Sequence, residues 1–233
     1  MTEPVQLLSG GAAQGLVRGV EQQLAERGIR IGGNFGAVGA MRDRLLAGDP
    51  CDLVILTQAL ISELEQQGHV QPGSARPLGR VRTGVAVKAG AALPAVADAT
   101  ALQKLMQDAG AIYFPDPQKA TAGIHFMKVL RALGLDQSKE HCFRTFPNGA
   151  TAMRELAAST EPNAVGCTQV TEILYTPGVQ LAGGLPPEFE LATVYTAGVC
   201  TRARSPEAAA AVAALLASPA IAELRRSGGF DPL

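Results

Sequence analysis

The chain has 233 residues, a length that fits one large domain or two small ones. Its 20 Lys and Arg balance 21 Asp and Glu, and a net charge of −1 is too small for general electrostatic binding to nucleic acid or to an anionic membrane. Hydrophobic residues make up 47% and charged residues 18% of the chain, a composition that argues against disorder and predicts a substantial core. We therefore expect a globular protein without a nucleic-acid partner.

The beginning of the chain is an acidic segment that leads directly into a strand-like pattern, without the features of a signal peptide. No apolar run reaches the roughly 18–20 residues that span a bilayer, so we expect no membrane span. Two localisations stay open at this point. The protein is cytoplasmic, or it is periplasmic and its export signal has been removed.

The first part of the chain repeats one pattern: a short apolar run, a turn of small residues, and a helical pattern. It predicts strands over residues 5–9, 30–35 and 51–57, and helices over residues 12–27, 40–47 and 59–67. Strands that alternate with helices are typical of a parallel sheet covered by helices on both faces. The fold class predicted here is therefore α/β.

A second series follows a stretch rich in Pro and Gly, with strands over residues 81–88, 111–115, 164–168 and 193–201 and helices over residues 98–108, 121–133 and 150–158. Asp98 has the position of a helix N-cap, and Gly134 closes the helix before it. Further helices begin at Ser205. Since no low-complexity linker separates the two series, we expect them to be joined by more than one chain crossing.

The cysteines and histidines give no sign of a metal site. Cys51, Cys142, Cys167 and Cys200 lie far apart without C-x-x-C spacing, which favours buried reduced thiols, and the three histidines are scattered. The chain also lacks a G-x-G-x-x-G fingerprint, a phosphate loop and a G-x-S-x-G elbow. We therefore predict no metal and no cofactor, while a catalytic triad assembled only in space stays open.

Several predicted helices begin at turns of small residues, at positions 9–12, 36–39 and 120–123. Such a turn exposes unpaired amide groups at the positive end of a helix dipole, which suits a small anion. Glycine-rich turns also simply cap strand-helix junctions in α/β proteins. The repetition of these turns in both series is what favours an anion site.

The order of the motifs resembles the molybdate-binding-protein-like branch of the type II periplasmic solute-binding proteins. The motifs that carry this resemblance lie at residues 9–11, 35–39, 47–55, 121–128, 133–135, 163–166, 205–208, 216–219 and 229–230. The resemblance implies a two-lobed fold in which each lobe is a mixed, mainly parallel sheet flanked by helices. It further implies a ligand cleft between lobes formed by residues 1–82 with 196–233 and by residues 83–195.

In the molybdate binders of this branch, hydroxyl groups at the first two turns and a tyrosine in the second lobe hold the oxyanion. Here the second turn offers Ala37 and Val38, and the tyrosine position corresponds to Gln169, so the resemblance favours a small carboxylate over molybdate. The ligand-binding positions predicted from the turns and from the resemblance are Ser9, Gly10, Gly11, Ala37, Val38, Thr121, Asn148, Gln169 and Tyr195.

Two arginines are candidate partners for a carboxylate because a guanidinium group can bind two oxygens at once. Arg82 lies near a predicted crossing strand, and Arg42 lies one turn into a predicted helix. For Arg42 the alternative is a solvated position on the helix face.

Two functions follow from the resemblance. The favoured one is a monomeric receptor that binds a small anion and delivers it to an ABC-transporter permease. The alternative is an isomerase of an unsaturated carboxylate, since residues 7–11, 168–172 and 184–197 are similar to the aconitate isomerase subgroup. Moving a double bond requires a base that removes and returns a proton, and His125 is the candidate. For His125 the alternative is a structural position, packed against the second lobe.

Overall fold

A computed structural model describes residues 3–233 of the chain. It divides into two compact units. Unit 1 contains the chain up to Val81 together with Thr193–Leu233, and unit 2 contains Arg82–Ala192. The chain thus passes from one unit into the other twice, whereas the sequence places these crossings at 82/83 and 195/196.

The strands are β1 (Val5–Gly10), β2 (Ile31–Gly36), β3 (Leu53–Thr57), β4 (Arg76–Lys88), β5 (Ile112–Pro115), β6 (Phe143–Phe146), β7 (Val165–Gln169), β8 (Val179–Gly184) and β9 (Ala192–Val199). The helices are α1 (Gln14–Gly19), α2 (Glu21–Ala25), α3 (Val38–Leu46), α4 (Gln58–Gln66), α5 (Ala99–Asp108), α6 (Thr121–Ala132), α7 (Gly149–Ala158), α8 (Val170–Tyr175), α9 (Pro206–Ala217) and α10 (Ala222–Ser227).

The sheet of unit 1 has the strand order β2-β1-β3-β9. Strand β1 runs parallel to β2 and β3, with Leu7 opposite Leu53, and β9 is antiparallel to β3. The run Leu53 to Leu56 is completely buried, as expected for a strand that packs against helices on both faces. The α/β fold class predicted from the sequence is confirmed in this unit.

The sheet of unit 2 has the order β4-β7-β5-β6, and β8 pairs with β4. Strand β5 runs parallel to β6 and β7, while β4 is antiparallel to β7 and β8. Thr83 on β4 lies directly opposite Gln169 on β7. This unit is therefore built on a mixed sheet in which β7, β5 and β6 run parallel and end at the same edge.

Most predicted elements are confirmed, including the Asp98 N-cap, whose Oδ1 accepts from the Ala101 amide at 2.8 Å. The prediction of a single helix over residues 12–27 is wrong. Val20, with φ −108° and ψ 0°, separates α1 from α2. A Cβ atom on Gly19 would lie 3.0 Å from Leu224, so this small residue lets the end of α1 approach α10.

The sequence pattern does not predict β8 or α8, and it indicates β6 only as a segment that leads into a helix. Strand β8 is half-buried and lies among the Gly and Pro residues of positions 177–187, so its short run lacks the apolar periodicity of a buried strand. Its place is set by pairing with β4, where the register shifts between Val85 and Ala86.

Among residues 3–233, no single helix has the length and apolar character needed to cross a membrane. Two helical segments with a bend between them, Pro206–Ala217 and Pro219–Ser227, reach that length and apolar composition only when they are taken together.

One buried carboxylate fixes the amino end of β3 to its neighbours. Asp52 is 3% exposed, and its Oδ2 accepts from the Gln6 amide at 2.7 Å while its Oδ1 accepts from the Arg204 and Ser205 amides at 2.6 and 3.1 Å. The same side chain thus joins β1, β3 and the segment that begins α9.

Replacing Asp52 by Ala should destabilise unit 1 by about 3 kcal/mol, because three backbone amides lose a charged acceptor. Urea unfolding followed by circular dichroism measures this change. Asp49→Ala is the matched control: it removes only an exposed ion pair with Arg44, so we expect a loss of at most about 1 kcal/mol. Equal losses for the two variants would contradict the role of Asp52.

Candidate functional site

In unit 1, three parallel strands end at one edge, and a helix or helical turn begins directly after each. Strand β1 leads into the 3₁₀ turn Gly11–Ala13, β2 into α3, and β3 into α4. Helix α4 is capped by Thr57, whose Oγ1 accepts from the Leu60 amide at 3.4 Å. The other two helical segments follow Gly10 and Ala37, whose side chains carry no acceptor, so their first amides are left for solvent or a ligand.

The structure brings three of the sequence-predicted residues of unit 1 into contact. A Cβ atom on Gly10 would lie 2.8 Å from Val38 Cγ1 and 2.9 Å from Tyr195 Cε1. Tyr195 lies on β9 opposite Thr57 and is 3% exposed. Gly10 is therefore required for the close approach of its backbone to the start of α3 and to the tyrosine ring.

The remaining predicted residues of the first two turns are also buried. Ser9 is fully buried, and its hydroxyl donates to the Gly10 carbonyl at 2.9 Å, so its proton is used within the protein. Gly11 is buried at the start of the 3₁₀ turn, and Ala37 is buried before α3. At these turns it is the backbone, rather than a side chain, that carries donor groups for an anion.

The two predicted arginines occupy different surroundings. Arg42 lies on α3 of unit 1, and its Nη2 is 2.7 Å from Oδ1 of Asp43, so a neighbouring carboxylate already balances its charge. Arg82 is exposed on β4 in unit 2, next to the buried Thr83.

In unit 2, strands β5, β6 and β7 run parallel and lead into α6, α7 and α8. Thr121 is the first residue of α6 and is half-buried, and the preceding Ala120 has no side chain that can cap this helix. Asn148 caps α7, because its Oδ1 accepts from the Thr151 amide at 2.8 Å. The carboxyl edge of this sheet thus combines an uncapped helix start with a capped one.

A glutamate that is not among the ligand-binding residues predicted from the sequence lies at this edge. Glu172 is 6% exposed, and its Oε2 accepts from the Thr168 hydroxyl at 2.5 Å. The backbone amides of Gly149, Ala150 and Gln169 also donate to this carboxylate. Burial raises the pKa of Glu172, and these hydrogen bonds oppose the increase.

Glycine at position 149 makes room for this carboxylate. A Cβ atom there would lie 1.9 Å from Oε2 of Glu172 and 2.0 Å from Oγ1 of Thr168. The chain therefore fills the start of α7 with a carboxyl group of its own. The sequence signal for it is a hydroxyl residue followed four positions later by Glu, at the junction of a strand and a helix.

Beside this carboxylate lies a buried amide without a protein partner. Gln169, the last residue of β7, is 3% exposed, and neither Nε2 nor Oε1 has a hydrogen-bond partner among the described protein atoms. The Oγ1 atoms of Thr83 and Thr171 are buried and equally unpaired within the described residues. Because Thr83 and Gln169 are direct cross-strand partners, their side chains share one face with Cβ atoms about 5 Å apart.

An unpaired buried polar group costs about 1–3 kcal/mol, and native proteins rarely leave one without protein or water as a partner. Gln169, Thr83 and Thr171 together therefore define a candidate binding position at the carboxyl edge of unit 2, referred to below as the Gln169 cluster. The sequence predicted Gln169, whereas it missed Thr83 and Thr171, which are common residues in a strand and at a helix start.

His125 lies on α6 and is half-buried. Its Nε2 is 2.7 Å from the Phe189 carbonyl oxygen, a distance at which the ring nitrogen donates its hydrogen. The tautomer set by this bond leaves Nδ1 as the nitrogen with a free lone pair.

The described chain contains no group of three or more His, Cys, Asp or Glu that could hold a metal ion. A cavity of about 600 Å³ in unit 2 is lined by apolar residues such as Val87 and Leu105 and by charged residues such as Lys104 and Glu161. None of the predicted ligand-binding residues lines it, so the Gln169 cluster and this cavity are separate features.

Two α/β units joined by two chain crossings, with parallel strands that lead into helix starts, are the arrangement expected of a periplasmic-type solute-binding protein. The family model described as bacterial extracellular solute-binding protein matches residues 8–231. The chain belongs to this family, as the motif order in the sequence predicted.

Three known proteins are similar to the chain over almost its whole length. An aconitate isomerase from a Pseudomonas species is 25% identical over 97% of this chain and 87% of its own. The periplasmic molybdate-binding protein of Azotobacter vinelandii has a TM-score of 0.80 with 17% identity, over 97% of this chain and 98% of its own. A sulfate-binding protein of Mycobacterium tuberculosis has a TM-score of 0.71 with 16% identity, over 100% of this chain and 88% of its own.

The raised pKa of Glu172 gives stability a defined pH dependence. An unfolded glutamate releases its proton near pH 4.5, whereas folded Glu172 keeps its proton to a higher pH. Between these two pKa values the folded state binds more protons, so this residue contributes less stability as the pH rises. We expect the wild type to gain unfolding free energy relative to Glu172→Gln as the pH falls from 7 towards 4.5.

Urea unfolding of both proteins at pH 5, 6 and 7 measures this difference. Glutamine has nearly the same shape and does not titrate, so any constant cost of the substitution cancels in the comparison across pH. Parallel pH profiles for the two proteins would contradict the raised pKa.

Proposed function

We propose that this protein is a receptor that binds a small anion, with a small carboxylate as its preferred ligand, and delivers it to an ABC-transporter permease. The family supports the binding role. The observation that carries the proposal is the Gln169 cluster, where a buried amide and two hydroxyl groups lack protein partners within the described residues. The prediction that the ligand lies in a cleft between two lobes stays a prediction.

The chemistry of Gln169 favours a carboxylate over molybdate. Its side chain offers an N–H donor and a carbonyl acceptor, and both are unpaired among the described protein atoms. A fully deprotonated oxyanion can only accept hydrogen bonds, so it satisfies the donor alone. A carboxylate compound that also carries a hydroxyl or a protonated carboxyl group satisfies both.

Neutral donors suit this role because a receptor must also release its ligand. In unit 1, the first amides of the 3₁₀ turn Gly11–Ala13 and of α3 offer dipoles to an anion without a buried counter-charge. In unit 2, the uncapped start of α6 at Thr121 offers the same. Arg82, exposed on β4, is the proposed charged partner of a carboxylate.

The proposed place of action is the periplasm, after removal of an export signal. The family of bacterial extracellular proteins and the periplasmic molybdate-binding relative support this localisation. The protein acts there as a monomer with its ligand and, transiently, with the permease.

Isothermal titration calorimetry with trans-aconitate, citrate, molybdate and sulfate tests the proposal. We expect a dissociation constant below about 1 mM for a carboxylate and weaker binding of both inorganic anions. Gln169→Leu should weaken carboxylate binding at least tenfold, or by about 1.4 kcal/mol, without destabilising the fold, because the amide makes no hydrogen bond within the described protein.

Gln137→Leu is the matched control, since Gln137 is exposed in unit 2 and lies outside the Gln169 cluster. Its affinity should equal that of the wild type. The proposal fails if no anion binds at millimolar concentration, or if Gln169→Leu binds the carboxylate as tightly as the control.

A second candidate function is isomerisation of an unsaturated carboxylate by proton removal and return. The similarity to a Pseudomonas aconitate isomerase over 97% of the chain favours it. In this proposal His125 is the base, and Nδ1 is the atom that takes the proton because Nε2 donates to the Phe189 carbonyl.

The ultraviolet absorbance of trans-aconitate, incubated with the protein, measures this activity. If the chain is an isomerase, the absorbance changes with wild type, and His125→Ala slows the change by about 100-fold or more, as expected for loss of a general base. His141→Ala, which alters an exposed histidine of the same unit, should keep the wild-type rate. Constant absorbance with the wild type would dispose of the alternative for this substrate.

A further inference from the structure

Two cysteines of unit 1 lie in direct contact although 148 residues of sequence separate them. The Sγ atoms of Cys51 and Cys200 are 3.5 Å apart, and both residues are buried, with exposures of 8% and 1%. A disulfide needs its two sulfur atoms about 2.05 Å apart, so these atoms must approach each other by roughly 1.5 Å to form a covalent bond.

The backbone around the pair is held by hydrogen bonds that continue the sheet. The Cys200 amide donates to the Asp52 carbonyl at 2.9 Å, one step beyond the register pair of Leu53 and Val199. The Asp52 amide donates to the Gln6 carbonyl at 2.8 Å. The register therefore places Cys200 opposite Asp52, the residue next to Cys51, and the two cysteine side chains meet at these strand ends with their sulfur atoms 3.5 Å apart.

The other two cysteines lack this geometry. Cys142 immediately precedes β6 and Cys167 lies within β7, and β5 lies between these two strands in the sheet of unit 2. Strands that are two positions apart are separated by roughly 10 Å, which is beyond the reach of a disulfide. Cys142 and Cys167 therefore serve as an internal comparison for Cys51 and Cys200.

We propose that Cys51 and Cys200 form a disulfide bond in the mature protein. The bond would close a loop that contains all of unit 2, because both chain crossings lie between the two cysteines. Its formation in the cell rests on the proposed export to an oxidising compartment, whereas the chemistry of the purified chain does not depend on the ligand or on the proposed function.

The bond forms by two thiol-disulfide exchanges with a small disulfide such as oxidised glutathione. The thiolate of one cysteine attacks the glutathione disulfide, forming a mixed disulfide and releasing one glutathione thiolate. The thiolate of the second cysteine then attacks the protein sulfur of the mixed disulfide and releases the second glutathione. The protons of the two cysteine thiols end on the two glutathione molecules, and the two electrons from the cysteines reduce the oxidant.

The surroundings of the pair decide when this reaction occurs. The hydrogen bond with Cys51, burial and the nearby Asp52 all raise the pKa of Cys200, so the reactive thiolate is scarce in the folded protein. A cavity of about 210 Å³ borders both cysteines, which leaves space for the side chains to move but little for a bulky oxidant. The disulfide should therefore form mainly during folding, before the pair is buried.

Refolding of the reduced, denatured chain with oxidised and reduced glutathione tests the proposal. After alkylation and digestion without reductant, mass spectrometry should find the peptides of Cys51 and Cys200 linked, with a mass about 2 Da below that of the two thiols. Cys142 and Cys167 should be alkylated. The oxidised protein should melt at least about 5 °C above the same protein kept in reductant, because the cross-link restricts the unfolded chain.

Cys51→Ala should abolish both the cross-link and the difference between the two melting temperatures, and the double variant Cys142→Ala, Cys167→Ala should keep both. If a variant does not fold, the comparison of wild type with and without reductant still decides the question. Free thiols at both positions after oxidative refolding, a link to another cysteine, or equal melting temperatures would overturn the proposal. Anion binding, measured separately, reports on the proposed function alone.

Discussion

The structure depends on one constraint: the first amides of a helix need acceptors, and in each unit several helices begin at the edge where parallel strands end. Some of these helix starts have a side-chain acceptor, and others have none. Thr57 and Asn148 cap their own helices, whereas Ala37 and Ala120 supply nothing. The helices that begin without an acceptor make these edges suitable for an anion.

Unit 2 shows both solutions side by side. Glu172 places a carboxylate of the protein against the starts of α7 and α8, and Gly149 gives it the space to do so. One residue before α8, Gln169 leaves both its amide atoms unpaired among the described protein atoms. A carboxyl group of the protein thus accepts hydrogen bonds from the backbone amides of the edge at one point, and a neutral, unpaired amide remains at the next.

The two ends of strand β3 have different roles. Thr57 and Tyr195 lie at its carboxyl end, near the backbone of Gly10. Asp52 and the contact of Cys51 with Cys200 lie at its amino end, about 17 Å away along five residues. The hydrogen bonds of Asp52 and the proposed disulfide act on the stability of unit 1 without touching the edge where its helices begin.

The sequence by itself determined the α/β class, most strands and helices, and the family, because these depend on local periodicity, caps and the order of motifs. It also pointed to Gly10, Val38 and Tyr195, which meet in space because β1 and β9 both pair with β3. Only the tertiary structure decided that Thr83 lies beside Gln169 and that Cys51 touches Cys200. Strand register sets such contacts, and register is a long-range property that no local pattern encodes.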